Sequence, residues 1–277
     1  MTIHELLDLK GLELVEPQYS DLIFQDMDIG LLQAPAISGR ILIDEDDTPA
    51  LFACELKDQR WAGCSTLYRE PSLPLIEFFE TFDWEMYQEP RNRIEQAVRG
   101  YYSSILLNSV TPAADDLNPK RADSIRRLIR DLEPEPGTLC LDCCCGTGVG
   151  SMVMRETDLV PVAYDNDDSL LARGMLAKRL IPEQTMWIDG RYISSFLSQP
   201  VSLACGFMFG EIHNFNAELW RDLTTGICSI SEKILITAGT EPEILQINSW
   251  ATSAGKKTEV FENEGDPIYD RWVCISK

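Results

Sequence analysis

The 277-residue sequence predicts an α/β protein: a mainly parallel sheet closed by an antiparallel hairpin and preceded by a small α+β module. Three observations predict it. From about residue 138 onward, short apolar runs alternate with helix-like ones, the pattern of βα units around a parallel sheet. The stretch CLDCCCGTGVGS (140–151) ends one such run in closely spaced glycines and passes directly into a helical pattern. Near the end of the chain, TEVFENE and DRWVCISK are strand-like runs separated by Gly265-Asp266-Pro267, which suggests a hairpin on the sheet's edge.

Taken in order, GRILIDEDDTPALFACEL reads as two strands joined by the acidic turn Asp44 to Pro49, and PLIEFFETFDWEMYQ reads as helical. Pro90 opens a helix to about Leu107, with Ile94, Ala97, Val98, Tyr101 and Ile105 on one face. Residues 108 to 118 read as a connection. Asn118-Pro119 then supplies a cap and a first-turn proline for a helix carrying Ile125, Leu128, Ile129 and Leu132 at helical spacing, stopped by Pro134. Lys120, Arg121, Arg126, Arg127 and Arg130 share this helix and read as its solvated face rather than a polyanion site. The runs TLCLDCCC, LVPVAYD, QTMWID, VSLACGFMF and ILITAG are near-continuously apolar, as strands covered on both faces should be. These boundaries divide the chain into a small acidic α+β module at 1–89, a connecting helix and linker at 90–118, and a ligand-binding domain at 119–277.

Composition narrows the function classes. Formal net charge is -21, and residues 1 to 100 carry 8 Lys+Arg against 20 Asp+Glu. A protein that holds a nucleic-acid backbone needs the opposite sign. The N-terminus lacks the pattern of a signal peptide and no window approaches 18 apolar residues, so the expectation is a cytoplasmic protein without membrane spans. Nine cysteines, several inside apolar runs, fit buried thiols in a reducing compartment.

A strand that ends in glycines and turns into a helix gathers backbone N–H groups at one point with no side chains to block approach, which suits a carboxylate or phosphate. The spacing here, Gly146-x-Gly148-x-Gly150, departs from the G-x-G-x-x-G of dinucleotide-binding turns, and Asp142 sits inside the strand just ahead of it. With Asp142, LDCCCGTGVGS resembles the first motif of the class I S-adenosylmethionine-dependent methyltransferases, hydrophobic-Asp-x-Gly-x-Gly-x-Gly, over a domain of residues 120 to 277. Cys144 stands at the motif's first glycine. The resemblance implies a Rossmann-like class I methyltransferase sheet and S-adenosyl-L-methionine as cofactor. It further implies cofactor contacts from Asp142, Cys144, Gly146 and Gly148 in the turn, and from Asp165 with Asn166 after VPVAYD at the ribose. Asp189 with Gly190, in TMWIDGRYI, would stand at the adenine. The chemistry agrees: a zwitterion, a diol and a base edge call for a turn with a nearby acid, a second acid and an acceptor, at the carboxyl ends of successive parallel strands.

The resemblance also places the methyl acceptor after the fourth strand, at Phe209-Gly210-Glu211-Ile212-His213-Asn214. Glu211 and His213 are the candidate catalytic residues there, His213 as a base for an acceptor that still carries its proton or as its hydrogen-bond partner. Without the Asn/Asp-Pro-Pro-aromatic motif of amino-methylating DNA enzymes, and with this net charge, a DNA base is not the expected acceptor; a small molecule or a protein side chain is. The N-terminal module is left three roles: part of the acceptor pocket, the contact of a homodimer, or a docking surface. Tyr101 and Tyr102 read as a lid or as a junction between modules. Cys140-x-x-Cys143 has the spacing of a metal knuckle, but alternation along a strand turns the two thiols to opposite faces, and His4 and His213 are the only histidines; no metal site is expected.

Overall fold

The computed structural model describes residues 1–33 and 35–276, in two compact units, Met1–Ile105 and Leu106–Lys277. The first unit holds β1 (Glu13–Leu14), α1 (Ile29–Leu32), β2 (Ala36–Ile43), β3 (Pro49–Leu56), β4 (Trp61–Ser65), α2 (Leu73–Phe79) and β5 (Trp84–Gln88). Its sheet runs β1-β4-β3-β2-β5, antiparallel at β2–β3 and β3–β4 and parallel at both edges. Asp44 makes the expected acidic turn: one carboxylate oxygen accepts the N–H groups of Asp46 at 3.0 Å and Thr48 at 2.9 Å. Ile41, Phe52, Leu75 and Phe79 fill the core between sheet and α2.

The expected single helix over PLIEFFETFDWEMYQ is corrected: α2 stops at Phe79, and Trp84–Gln88 pairs with β2 as a parallel edge strand. The segment Thr81 to Asp83 breaks the helical ladder, and an unpaired β2 edge offers the next residues a better set of backbone partners. The long helix α3 (Arg91–Ser109) contains the division between the units. Tyr101 and Tyr102 are tied within the first unit: the Tyr101 hydroxyl accepts the Leu14 N–H at 3.0 Å and the Tyr102 hydroxyl donates to the Glu16 carbonyl at 3.0 Å.

The second unit is a Rossmann-like three-layer sandwich. It holds α4 (Pro119–Asp131), β6 (Leu139–Cys143), α5 (Val149–Glu156), β7 (Val160–Asp165), α6 (Asp168–Leu176), β8 (Thr185–Trp187), β9 (Val201–Gly206), α7 (Ala217–Ser229), β10 (Ser231–Ala238), α8 (Glu241–Ser253), β11 (Thr258–Glu262) and β12 (Trp272–Ser276). The sheet order is β11-β12-β10-β9-β6-β7-β8, parallel except where β12 pairs with β10 and β11. The terminal hairpin is therefore present; Lys277, the last residue of its expected second run, lies outside the described residues. From β6 the chain builds outward through β7 and β8, then returns to lay β9 on the other side of β6. That reversal opens a crevice beyond the carboxyl ends of the strands, where ligands of open α/β sheets bind.

Asn118 caps α4 as its sequence suggests, accepting the N–H groups of Lys120 at 3.1 Å and Arg121 at 3.4 Å. Ile125, Ile129, Val153 and Cys140 pack α4 and α5 against one face of the sheet. The solvated-face reading of the basic residues on α4 is corrected at Arg121: its side chain is 15% exposed and turned onto Asp270. The guanidinium gives up hydration there and is compensated by the charge and the charge-assisted hydrogen bond of the buried Asp270 carboxylate. All nine cysteines carry free thiols; Cys140 lies 3.4 Å from the Met154 sulfur, while Cys143 packs against Tyr164. Among the described residues no helix is long and apolar enough to cross a membrane.

Candidate active site

The glycine turn is built by three left-handed residues in five: Cys144 at φ 51°, Gly146 at 53° and Gly148 at 77°. Cys144 thus occupies a conformation that favours glycine, at the position where the resembled motif has one. The turn is tied on both sides. The Gly146 N–H donates to Asp165 Oδ2 at 2.8 Å and the Cys145 N–H to the Tyr164 carbonyl at 3.0 Å, so the end of β7 sets the turn's height. Buried Arg179 donates from Nε to the Thr147 carbonyl at 2.9 Å and pairs with Asp115 at 2.9 Å, and the Thr147 hydroxyl donates to Asp116 at 2.5 Å. The linker that reads as featureless in sequence is therefore fastened beside the turn.

A cavity of about 450 Å³ opens there, within the usual range for small-molecule sites. Asp142, Cys144, Gly146, Asp165, Asn166, Asp189 and Gly190 all line it. Gly148 does not; a Cβ at that position would meet Leu180 at 2.5 Å, so its smallness serves packing under the turn. A Cβ on Gly146 would meet nothing within 4 Å and would project into open space at the cavity wall.

The three acids differ in environment. Asp142 is 1% exposed, accepts the Ser151 hydroxyl at 2.6 Å, and is approached so closely by α5 that a Cβ on Gly150 would come within 2.6 Å of its carboxylate. Burial penalises its charged form and pushes its pKa up to about 7, with the Ser151 hydrogen bond offsetting only part of the effect. A pKa raised on folding contributes stability that is complete below about pH 4 and is lost as pH rises through about pH 7. The expected result is that Asp142→Asn removes a decline of about 1 kcal/mol per pH unit across that window. Urea unfolding of both proteins from about pH 5 to about pH 8 checks it, and parallel pH profiles would contradict it.

Asp165 is also buried, which raises its pKa, yet each oxygen accepts one backbone N–H: Gly146 to Oδ2 at 2.8 Å and Asp167 to Oδ1 at 2.9 Å. Each oxygen keeps lone-pair capacity toward the cavity. Asp189 caps the short turn Gly190–Ser195, accepting the Arg191 N–H at 3.0 Å, and its carboxylate is held below the usual range by the Arg191 guanidinium. Asn166 is exposed and its carbonyl accepts the Trp187 indole N–H at 3.1 Å. Gly190 is small by necessity, since a Cβ there would meet the Tyr164 ring at 2.7 Å.

Three cavity residues carry no sequence signal of their own: Arg121, Asp116 and Trp220, whose buried indole N–H has no acceptor among the described residues. Arg121 donates from Nε to Asp270 Oδ2 at 2.7 Å. Asp270, fully buried, also accepts the Met208 N–H at 2.8 Å and the Thr237 hydroxyl at 2.5 Å. The helical spacing of the basic residues on α4 gives no way to single out Arg121, because its partner lies 149 residues away.

Glu211 and His213 are not brought to this cavity. They line a second one, of about 470 Å³, which shares Met208 with the first. Both are exposed, and His213 stacks on Phe215 with ring centroids 5.4 Å apart.

No protein-family model and no curated protein matches the chain. Among solved structures it is similar to the magnesium protoporphyrin IX methyltransferase of Synechocystis PCC 6803 with bound S-adenosylmethionine, at 12% identity and a TM-score of 0.46, covering 66% of this chain and 96% of that one. It is also similar to a putative RNA methyltransferase of Pyrococcus horikoshii, at 13% identity and 0.43, covering 62% and 94%. A third is a TehB-like S-adenosylmethionine-dependent methyltransferase of Corynebacterium glutamicum, at 19% and 0.41, covering 65% and 98%.

Proposed function

We propose that this protein is an S-adenosylmethionine-dependent methyltransferase acting on a small molecule. One observation carries the reading: Asp142, Asp165 and Asp189, from the carboxyl ends of three successive parallel strands, converge on one cavity beside a turn whose Gly146 leaves open space where a side chain would stand. When bound, S-adenosylmethionine supplies an electrophilic methyl group on a sulfonium.

Asp142 and Arg121, of opposite charge and lining the same cavity, suit the ammonium and carboxylate of the amino-acid end. Asp165 takes the ribose hydroxyls with the lone pairs its backbone partners leave free. Asp189, with Gly190 and Asn166, stands at the base edge. Cys144 lines the turn beneath. The buried N–H of Trp220 is a donor in need of an acceptor. The chain's part in the transfer is to hold the acceptor in line and exclude water, and a base is needed only where the nucleophile keeps a proton.

Calorimetry with S-adenosylhomocysteine tests the reading. Binding in the micromolar range is expected, and Asp165→Ala should weaken it by about tenfold or more through loss of charge-assisted bonds. No heat and no thermal shift with either form of the cofactor would sink it. Incubating a cell extract with the protein and methyl-labelled cofactor separates the acceptor classes: label in the small-molecule fraction supports the reading, and label in protein favours a side-chain acceptor instead.

A further inference from the structure

The second cavity has a chemistry that the methyl-donor reading does not use. Its walls are largely apolar, from Met208, Ile268 and the ring of Tyr269. No lysine or arginine is among the described residues that line it, whereas Glu211 and Glu243 are. The two carboxylates are not equivalent. Glu243 spends both oxygens, Oε1 accepting the N–H groups of Glu211 at 3.2 Å and Ile212 at 2.9 Å, and Oε2 accepting the Thr240 N–H at 3.1 Å and the Thr240 hydroxyl at 2.6 Å. It adds negative charge and rigidity but has little bonding capacity left. Glu211 is exposed, and its own carboxylate has no hydrogen bond or ion pair among the described residues. His213, stacked on Phe215, stands beside it.

Met208, which lines both cavities, is held from behind. Asp270 fastens both the Met208 N–H and Arg121, and the Arg121 guanidinium lies 5.6 Å from the centre of the Tyr269 ring. Arg121 is thereby paired with a buried anion, and it does not line the second cavity. An anionic acceptor would meet Glu211 and Glu243 with no compensating charge, and a neutral one would leave Glu211 without a counter-ion. A cation on an apolar body satisfies the carboxylate and the walls together.

We propose that this cavity binds the methyl acceptor and that the acceptor is a small amine on an apolar or aromatic body, with Glu211 holding its ammonium form. The inference rests on the methyltransferase reading. The amine first gives a proton to His213 or to water; its nitrogen lone pair then forms the bond to the methyl carbon while the carbon–sulfur bond breaks with both electrons remaining on sulfur. The product is a methylated ammonium ion and a neutral thioether, so charge and atoms balance.

The test is calorimetry on the full chain saturated with S-adenosylhomocysteine, using three probes that share one body: 2-phenylethylamine, 2-phenylethanol and phenylacetate. The amine should bind at least about tenfold more tightly than the other two, and Glu211→Gln should remove that preference. The affinity of the variant for S-adenosylhomocysteine serves as the check that it is folded. Binding of S-adenosylhomocysteine with no preference for the amine, or a preference that survives Glu211→Gln, overturns this inference alone. Failure to bind S-adenosylhomocysteine at all overturns the methyltransferase reading and this inference with it.

Discussion

Asp270→Ala is expected to lower the stability of the second unit by about 3–5 kcal/mol, the cost of stripping one partner from a buried ion pair. Asp270 is fully buried and accepts from three groups at once: the Arg121 guanidinium, the Met208 N–H and the Thr237 hydroxyl. Removing the carboxylate leaves Arg121 mostly buried without its counter-ion and takes the acceptor from the Thr237 hydroxyl, while the Met208 N–H keeps Thr237 Oγ1 at 2.8 Å. Urea unfolding measures the loss. The double variant Arg121→Met with Asp270→Ala should be less destabilised than the sum of the two single changes, because the second removes the charge the first stranded. A loss below about 1 kcal/mol would show that water replaces the carboxylate and that the position of Met208 does not depend on it.

The glycines of the turn separate stability from binding. Gly148→Ala forces a side chain into φ 77° and drives its Cβ to 2.5 Å from Leu180, beside the Arg179 backbone. Left-handed strain of about 1–2 kcal/mol and overpacking of about 1–3 kcal/mol together predict a loss of roughly 2–5 kcal/mol. Gly146→Ala carries only the backbone cost, since its Cβ meets nothing within 4 Å. That Cβ enters the space assigned to the ligand, so the expected result is a modest fall in unfolding midpoint with a large fall, about tenfold or more, in affinity for S-adenosylhomocysteine. Equal effects of the two substitutions on stability, with binding intact in Gly146→Ala, would mean that the turn is a packing device and the ligand lies elsewhere.

The opposite behaviour of two glycines two residues apart shows how far a motif can be read. CLDCCCGTGVGS announces a strand, a turn and a helix, and the left-handed Cys144 stands where a glycine is usual. Which glycine faces the cavity depends on Leu180, brought beneath the turn by the backbone hydrogen bonds that close the end of α6. The acids behave likewise. Asp142, Asp165 and Asp189 stand out because Asp142 interrupts an apolar run just ahead of the turn and the other two end such runs, and parallel strands bring their carboxyl ends to one edge. Their states have different origins: Asp142 is pushed up by burial under α5, which only the fold supplies, whereas Asp189 is held down by Arg191, two residues along the chain.

The segment WEMYQ reads as helix because its apolar residues follow those of α2 at compatible spacing, and five residues are too few for a period of two to compete. Its strand conformation comes from the free edge of β2, which no local pattern encodes. Arg121 reads as surface for the same kind of reason. Helical periodicity places it among solvent-facing basic residues, and only a carboxylate delivered by the loop ahead of β12 draws it inward.

From the chain alone, then, come the elements whose cause is local: apolar runs that must be covered on both faces, glycines that permit a left-handed turn, caps that start helices, and an acid in or just after each of the first three strands of the second unit. Tertiary structure alone decides the rest. It turns Arg121 onto Asp270, places Glu211 and His213 in a second cavity that shares Met208 with the first, and leaves one cavity beside a glycine turn and another with a free carboxylate. These depend on charges and side chains that meet across long stretches of sequence, where the energy of an ion pair or a close contact is set by burial, and burial exists only once the sheet has formed.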